Sequence, residues 1–188
     1  KNERPKSPRA ASASQFAYCT SSGRSRPIAW RSSAICSALA FSPDIHSAVG
    51  VAEVLGLPPQ RVFKTLVVLP DTPRRERPLL AIVPGDAELD LKALAKATGE
   101  KKLRMASQRE AESLTGLLVG GISALALLKK RWAVYLDTSA REEAWIVVSA
   151  GQRGLNLRLA VEDLLAVTQA RLVPLTRTDP SAGFAGEA

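Results

Sequence analysis

The sequence predicts an α+β domain built on a curved, mixed sheet. Two observations carry the prediction. Apolar segments of strand length outnumber those with helical spacing, and two pairs of them are joined by turn-forming stretches in the manner of hairpins. That pattern departs from the regular strand–helix alternation of a doubly wound parallel fold.

Residues 1–35 are rich in Ser, Arg, Pro and Ala and carry no clear period, so disorder is the expectation there. Their basic, acid-poor composition can resemble an organelle transit peptide, but the same composition arises from a misassigned start or a processed fragment, and targeting is the lesser expectation. From Ser47 to Leu57, the positions of Val49, Ala52, Val54 and Leu55 fit an amphipathic helix that Gly56 closes and Pro58-Pro59 keeps from continuing. Arg61 to Leu69 then reads as a strand. Asp71 to Pro78 is a charged, proline-bearing turn, and Leu79 to Val83 is the buried hairpin partner. Asp90 caps a helix from Leu91 to Thr98 that ends at Gly99, and Ser107 starts another around Glu110 to Leu114. Leu117 to Ser123 and Ala133 to Asp137 read as strands bracketing a loop. Trp145 to Ser149 and Leu155 to Leu159 flank the glycine-containing connection 150–154 as a hairpin, and Val161 to Gln169 closes as a helix.

The 188-residue chain is 46% hydrophobic, which suits one domain with a real core plus an extension. The expected division is a basic extension over 1–40, a domain over 41–178 and a flexible tail over 179–188. Net charge is +8, yet residues 1–31 hold seven Lys and Arg against Glu3, so the basicity is largely a tail property. The body is only mildly basic, and charge alone does not establish a nucleic-acid partner. Cys19 and Cys36 belong to no CxxC or CxxH pattern, which argues against a disulfide scaffold. His46 is the sole histidine and lies in a loop-like stretch, so a histidine triad or multi-histidine metal site would rest on that one residue. No metal or other cofactor is expected. No apolar run approaches the ~20 residues that span a bilayer, so no membrane association is expected either.

Lys64 is the leading site candidate. On strand periodicity it shares a face with Val62, Leu66 and Val68, while Phe63, Thr65, Val67 and Leu69 line the other. Both faces are mostly apolar, so an ammonium there is costly unless it reaches a cleft or meets an anion. The plainer alternative is a head group that snorkels to water near the strand end. Gly120-Gly121-Ile122-Ser123 lets backbone approach a ligand closely and offers amides and a hydroxyl, or else forms a tight structural turn. It is not a Walker loop, because Lys129-Lys130 lies too far along and the glycine-lysine-serine/threonine order is missing. Ser149-Ala150-Gly151-Gln152-Arg153-Gly154 offers a hydroxyl, a flexible backbone and a guanidinium suited to phosphate, or is an ordinary hairpin end. Asp86, Glu88 and Asp90 precede a helix and read as turn and capping residues. Asp137, ending an apolar strand, has better access to a cleft, with a strand-end turn as its alternative.

Taken in order, Leu55-Gly56-Leu57-Pro58-Pro59 leading into Val62 to Val68, Pro84-Gly85-Asp86, Leu89 to Lys92, Lys101 to Ala106, Leu114-Thr115-Gly116, Val119 to Ser123, Asp137 to Ala140 and Val148 to Gly154 closely resemble the YbaK/ProX family of aminoacyl-tRNA deacylases. The resemblance covers roughly residues 43–175. It implies a compact, barrel-like mixed sheet flanked by helices, and a cleft for the 3′ aminoacylated adenosine of a mischarged tRNA. Lys64 matches the family's essential lysine, placed to hold the terminal phosphate or to polarise the ester carbonyl. Thr65, the Gly120 to Ser123 segment, Asp137, Ser149 and Gly151 are the implied substrate-binding positions, and Arg153, Lys129 and Lys130 the implied tRNA-phosphate contacts. No protein nucleophile is required: the family's Cys-tRNA(Pro) branch uses the substrate's own thiol, and other branches use positioned water.

The resemblance thus implies a cytoplasmic trans-editing deacylase, with Cys-tRNA(Pro) the first substrate and prolyl-tRNA synthetase a candidate partner. A noncatalytic tRNA- or synthetase-binding module of the same fold is the alternative. The chain departs from the family where Gly-Ile-Ser-Pro-Leu-Gly would continue, reading Gly121-Ile122-Ser123-Ala124-Leu125-Ala126. Ile35 to Phe41 does not reproduce the family's first helix and aromatic strand, and Leu39 stands where a tyrosine is expected.

Overall fold

The computed structural model describes residues 37–71 and 77–177, all within the compact unit Arg31–Ala188. The expectations for residues 1–36 and 178–188, Cys19 and Cys36 among them, lie outside the described residues, as does most of the proline-bearing turn after Asp71.

Three of the helices begin and end where their side chains dictate. Ser47 caps α1 (Ala48–Leu55) by accepting from the Gly50 N–H, and Gly56 ends it with φ 63°. Asp90 caps α2 (Leu91–Thr98) by accepting from the N–H groups of Lys92 and Ala93, and Gly99 ends it. Ser107 and Glu110 form a reciprocal capping box on α3 (Gln108–Thr115), which stops at Gly116. The last helix, α4 (Val161–Thr168), has no side-chain cap and carries Glu162 and Asp163 in its first turn, a favourable place for negative charge.

The strands form two sheets. In the first, β1 (Ser37–Ala40), β7 (Leu155–Ala160) and β6 (Trp145–Gln152) run in the spatial order β1-β7-β6, all antiparallel. In the second, β4 (Leu103–Met105), β2 (Phe63–Pro70), β3 (Leu79–Pro84), β5 (Ala133–Asp137) and β8 (Arg171–Val173) lie in the order β4-β2-β3-β5-β8. This sheet is mixed: β2 pairs antiparallel with β3 and β4, whereas β3, β5 and β8 are parallel. Both expected hairpins, β2–β3 and β6–β7, are present.

The middle of the five-stranded sheet is covered on both faces, which is why its central strand β3 is apolar and buried along its whole length rather than alternating. Phe63, Val67, Leu80, Ile82 and Leu136 pack between the sheets with Ile146, Val148, Leu159 and Leu164. Val68, Ala81, Val83 and Tyr135 pack with Leu94 of α2 on the other side. A third cluster, Val51, Ala52, Val62 and Val147, seats α1.

Three expectations need correction. Among the described residues the strands do not close into one barrel-like surface: they form two open sheets, and an isolated parallel bridge between Val62 and Val147 links them. Leu117 to Ser123 is not a strand. Gly120 takes φ 89°, the Gly121 N–H bonds back to the Leu118 carbonyl, and the Val119 N–H goes to the Glu112 carboxylate, so the segment is a loop. Finally, Ser37–Ala40, assigned to the extension, pairs with β7 as β1, with Leu39 opposite Asn156. A first strand is therefore present without the expected tyrosine.

Candidate functional site

A cleft of about 380 Å3 opens where the first turn of α1, the start of β2, the 117–124 loop, α3 and the β6–β7 pair meet. Lys64 is half-buried on its wall, and its Nζ donates to the Gly85 carbonyl at 3.0 Å. The register explains this: Lys64 lies opposite Val83 and Phe63 opposite Pro84, so the chain leaving β3 brings Gly85 level with the lysine head. Position 85 has no room for a side chain, since a Cβ there would meet Ala48 Cβ and the Val62 carbonyl at 2.9 Å each. An ammonium has three donors, and with one committed to Gly85 the others have no partner among the described residues.

The rest of the wall is largely apolar, with Phe63, Val67, Ala111 and Ile122 buried along it. Against this, Ser149 and Asn156 sit opposite one another across β6 and β7 and both face the cleft. A cation and a few polar groups in apolar surroundings interact with developing charge more strongly than they would in water.

The loop supplying Gly120 and Ile122 is fixed through the Val119 peptide. Its N–H donates to Glu112 Oε1 at 3.0 Å, and its carbonyl accepts from Arg153 Nε at 2.7 Å. The Val119 N–H, foremost, also holds the Glu112 carboxyl below its ordinary pKa. The loop then packs on the hairpin, where a Cβ on Gly121 would strike the Arg153 backbone at 2.8 Å and one on Gly151 would strike Ala126 at 2.7 Å.

Of the residues singled out from the sequence, Lys64, Thr65, Gly120, Ile122 and Ser149 meet on this cleft. The others do not line it. Asp137 is 2% exposed, and its carboxylate accepts from the N–H groups of Ser139, Leu175 and Thr176 and from the Thr176 hydroxyl. Arg153 is committed to Val119. Gly121 and Gly151 are packing positions, and Ser123 is buried with its hydroxyl unpaired among the described residues. Lys129 and Lys130 are exposed, with Lys130 Nζ 5.4 Å from the Trp132 ring centroid.

Sequence reasoning missed Asn156 and His46, both on the cleft. Asn156 had a signal, since Leu155, Leu157 and Leu159 alternate with Asn156 and Arg158 and so put the asparagine on the opposite face. His46 had only its position directly before the cap Ser47.

A family model for the aminoacyl-tRNA editing domain matches residues 42–167, which is more than half of the chain. The chain belongs to the aminoacyl-tRNA editing domain family. Among editing-domain relatives, a candidate Cys-tRNA(Pro)/Cys-tRNA(Cys) deacylase, EbsC of Enterococcus faecalis, is 42% identical over 137 residues, or 73% of this chain and 81% of that protein. Proline–tRNA ligase 1 of Anaeromyxobacter dehalogenans is 35% identical over 102 residues, which are 54% of this chain but only 17% of that enzyme. The editing fold is also seen in a crystal structure of a candidate trans-editing enzyme for prolyl-tRNA synthetase, with TM-score 0.66 and 23% identity over 76% of this chain and 87% of that one. Among the described residues, no group of His, Cys, Asp and Glu could hold a metal ion, and no helix is long and apolar enough to cross a membrane.

Proposed function

We propose that this chain is a cytoplasmic trans-editing deacylase that removes the amino acid from mischarged tRNA, with Cys-tRNA(Pro) as its substrate. The observation that carries the reading is Lys64: a half-buried ammonium on an apolar cleft wall, anchored on one side by the Gly85 carbonyl, in a chain of the editing-domain family.

The reaction breaks the ester between the aminoacyl carbonyl and the terminal ribose. Negative charge grows on the carbonyl oxygen as it does so, and Lys64 is the cationic donor placed to receive it, or to hold the adjacent phosphate. Asn156 and Ser149 orient the substrate from the cleft floor, while Phe63, Val67, Ala111 and Ile122 exclude water and favour a small amino-acid side chain. The cysteinyl assignment draws on the likeness to EbsC. For that ester the substrate's thiol attacks its own carbonyl, a lyase-type cleavage; for other side chains water attacks, which is hydrolysis. Similarity to a segment of prolyl-tRNA ligases supports that synthetase as a partner that supplies proline-tRNA recognition. The mild charge of the body fits weak tRNA binding by the domain alone.

The test is deacylation of Cys-tRNA(Pro), Ala-tRNA(Pro) and correctly charged Pro-tRNA(Pro) by the wild type and by Lys64→Ala. Selective loss of a mischarged substrate, abolished in the variant, is expected. A wild type that binds tRNA yet leaves all three intact, where a known deacylase clears them, overturns the proposal in favour of a noncatalytic module.

A further inference from the structure

We infer that His46 is the proton-transfer residue of this cleft: it takes a proton from the group that attacks the aminoacyl ester and returns it to the departing ribose hydroxyl. This rests on the deacylase reading above and assigns it a second catalytic residue.

The first ground is the ionisable side chains of the cleft. Among the described residues lining it, only His46 and Lys64 carry one; none of them is a carboxylate, thiol or phenol. Ester cleavage needs a group that can both accept and give a proton, because the nucleophile must lose one and the ribose oxygen must gain one as it leaves. A lysine ammonium has donors and no acceptor, and Lys64 already donates to Gly85. The hydroxyls of Thr65 and Ser149 and the amides of Gln108 and Asn156 are poor bases. An imidazole is the side chain that exchanges a proton near neutral pH.

The second ground is where the ring sits and what it leaves undone. The neighbouring backbone is pinned on both sides, by the Ile45 N–H on the Ser42 carbonyl and by Ser47 capping α1. The histidine lies against the cleft loop: a Cβ on Gly120 would be 3.3 Å from His46 Cα and 3.5 Å from its ring Cδ2. Gly120 holds φ 89°, so glycine is what permits that approach. Neither ring nitrogen has a hydrogen-bond partner among the described residues. Among the described residues, the charged groups on the elements around it are Lys64 on β2, Glu53 on α1, Arg109 and the Arg104-paired Glu110 on α3, and Arg158 on β7 over the Trp145 ring. To these add Asp44, which accepts from the Ser42 hydroxyl, and Glu112 and Arg153, both committed to Val119.

The step balances for either nucleophile. With water, a C–O bond forms at the carbonyl, the proton passes to the imidazole, the bond to the ribose oxygen breaks, and that oxygen collects the proton. With a cysteinyl thiol the new bond is C–S, and the proton takes the same path.

Single-turnover deacylation of a mischarged tRNA is measured from about pH 5.5 to about pH 8.5 on the wild type, His46→Gln and His46→Asn. The wild-type rate is expected to rise and level off. Both variants lose that rise and fall by about 10²–10⁴-fold, their tRNA binding and melting temperature unchanged, and added imidazole restores part of the rate. A His46→Gln enzyme within about threefold of the wild type, with the same pH profile, overturns the inference and leaves the deacylase reading standing. A wild type without activity on any mischarged tRNA overturns both.

Discussion

Lys64 Nζ and the Gly85 carbonyl lie 3.0 Å apart at the end of the β2–β3 hairpin. The contact ties the cleft's cation to a backbone position that tolerates no side chain. Lys64→Met keeps the aliphatic stem and removes the charge, so deacylation is expected to fall by about 10²-fold or more while the fold survives. Gly85→Ala acts on the same contact from the other end. Its Cβ meets Ala48 and the Val62 carbonyl at 2.9 Å, and overpacking of that kind costs about 1–3 kcal/mol. That variant should lose both activity and melting temperature, whereas Lys64→Met loses activity alone; thermal melts beside kinetics distinguish them.

Arg153 should reveal itself as a loop-holding residue. Its Nε bonds the Val119 carbonyl at 2.7 Å, and the sequence suggested a phosphate contact instead. The two roles differ in salt dependence, because removing a phosphate contact lowers the slope of log affinity against log salt by about one. For Arg153→Gln the expected outcome is a reduced turnover number with that slope unchanged. Glu112→Gln, which weakens the hold on the Val119 N–H from the other side, should show the same signature.

Much of this fold was legible because its boundaries are local. Ser47, Asp90 and Ser107 start helices and Gly56, Gly99 and Gly116 stop them by contacts within a few residues. The edge strands β4 and β8, three residues each, are too short to show alternation and exist only through their partners. The apolar run at Leu117 looked like a strand although Gly120-Gly121 carried a local turn signal, borne by the Gly120 φ of 89° and the Gly121 N–H on Leu118, while the hold of Glu112 and Arg153 on Val119 comes from outside the run. The site divided in the same way. Lys64 advertised itself by its apolar neighbours, while His46 reaches the cleft only by meeting Gly120, a contact distant in sequence.

Asp137 should prove a stability residue. Its buried carboxylate receives the N–H groups of Leu175 at 2.6 Å, Thr176 at 3.0 Å and Ser139 at 2.9 Å, tying the end of β5 to the segment that follows β8. Each buried donor left unpaired costs about 1–3 kcal/mol, so Asp137→Ala should destabilise the domain by about 3 kcal/mol or more. Deacylation measured well below the lowered melting temperature should stay near wild type. A folded variant without activity would place Asp137 in the chemistry after all.

Glu110 contributes to the acid sensitivity of the fold. The Arg104 guanidinium, foremost, reaches it through bonds of 2.7 and 2.9 Å, and the backbone N–H and hydroxyl of Ser107 add to the pull, holding its carboxyl down to about 2 from an ordinary 4.5. A pKa depressed in the folded state means that the unfolded chain binds the proton more readily, so acid favours unfolding. The stabilisation is fully present above the ordinary value, fades as pH falls from about 4.5 and is gone below about 2. Urea unfolding of wild type and Glu110→Gln across that window should therefore show a gap that is constant at neutral pH and closes toward the acid end. High salt should narrow the neutral gap, because the Arg104 pair is exposed and screened. Whatever gap remains belongs to the capping of α3 at Ser107, which brings Ala111 and Gln108 to the cleft wall.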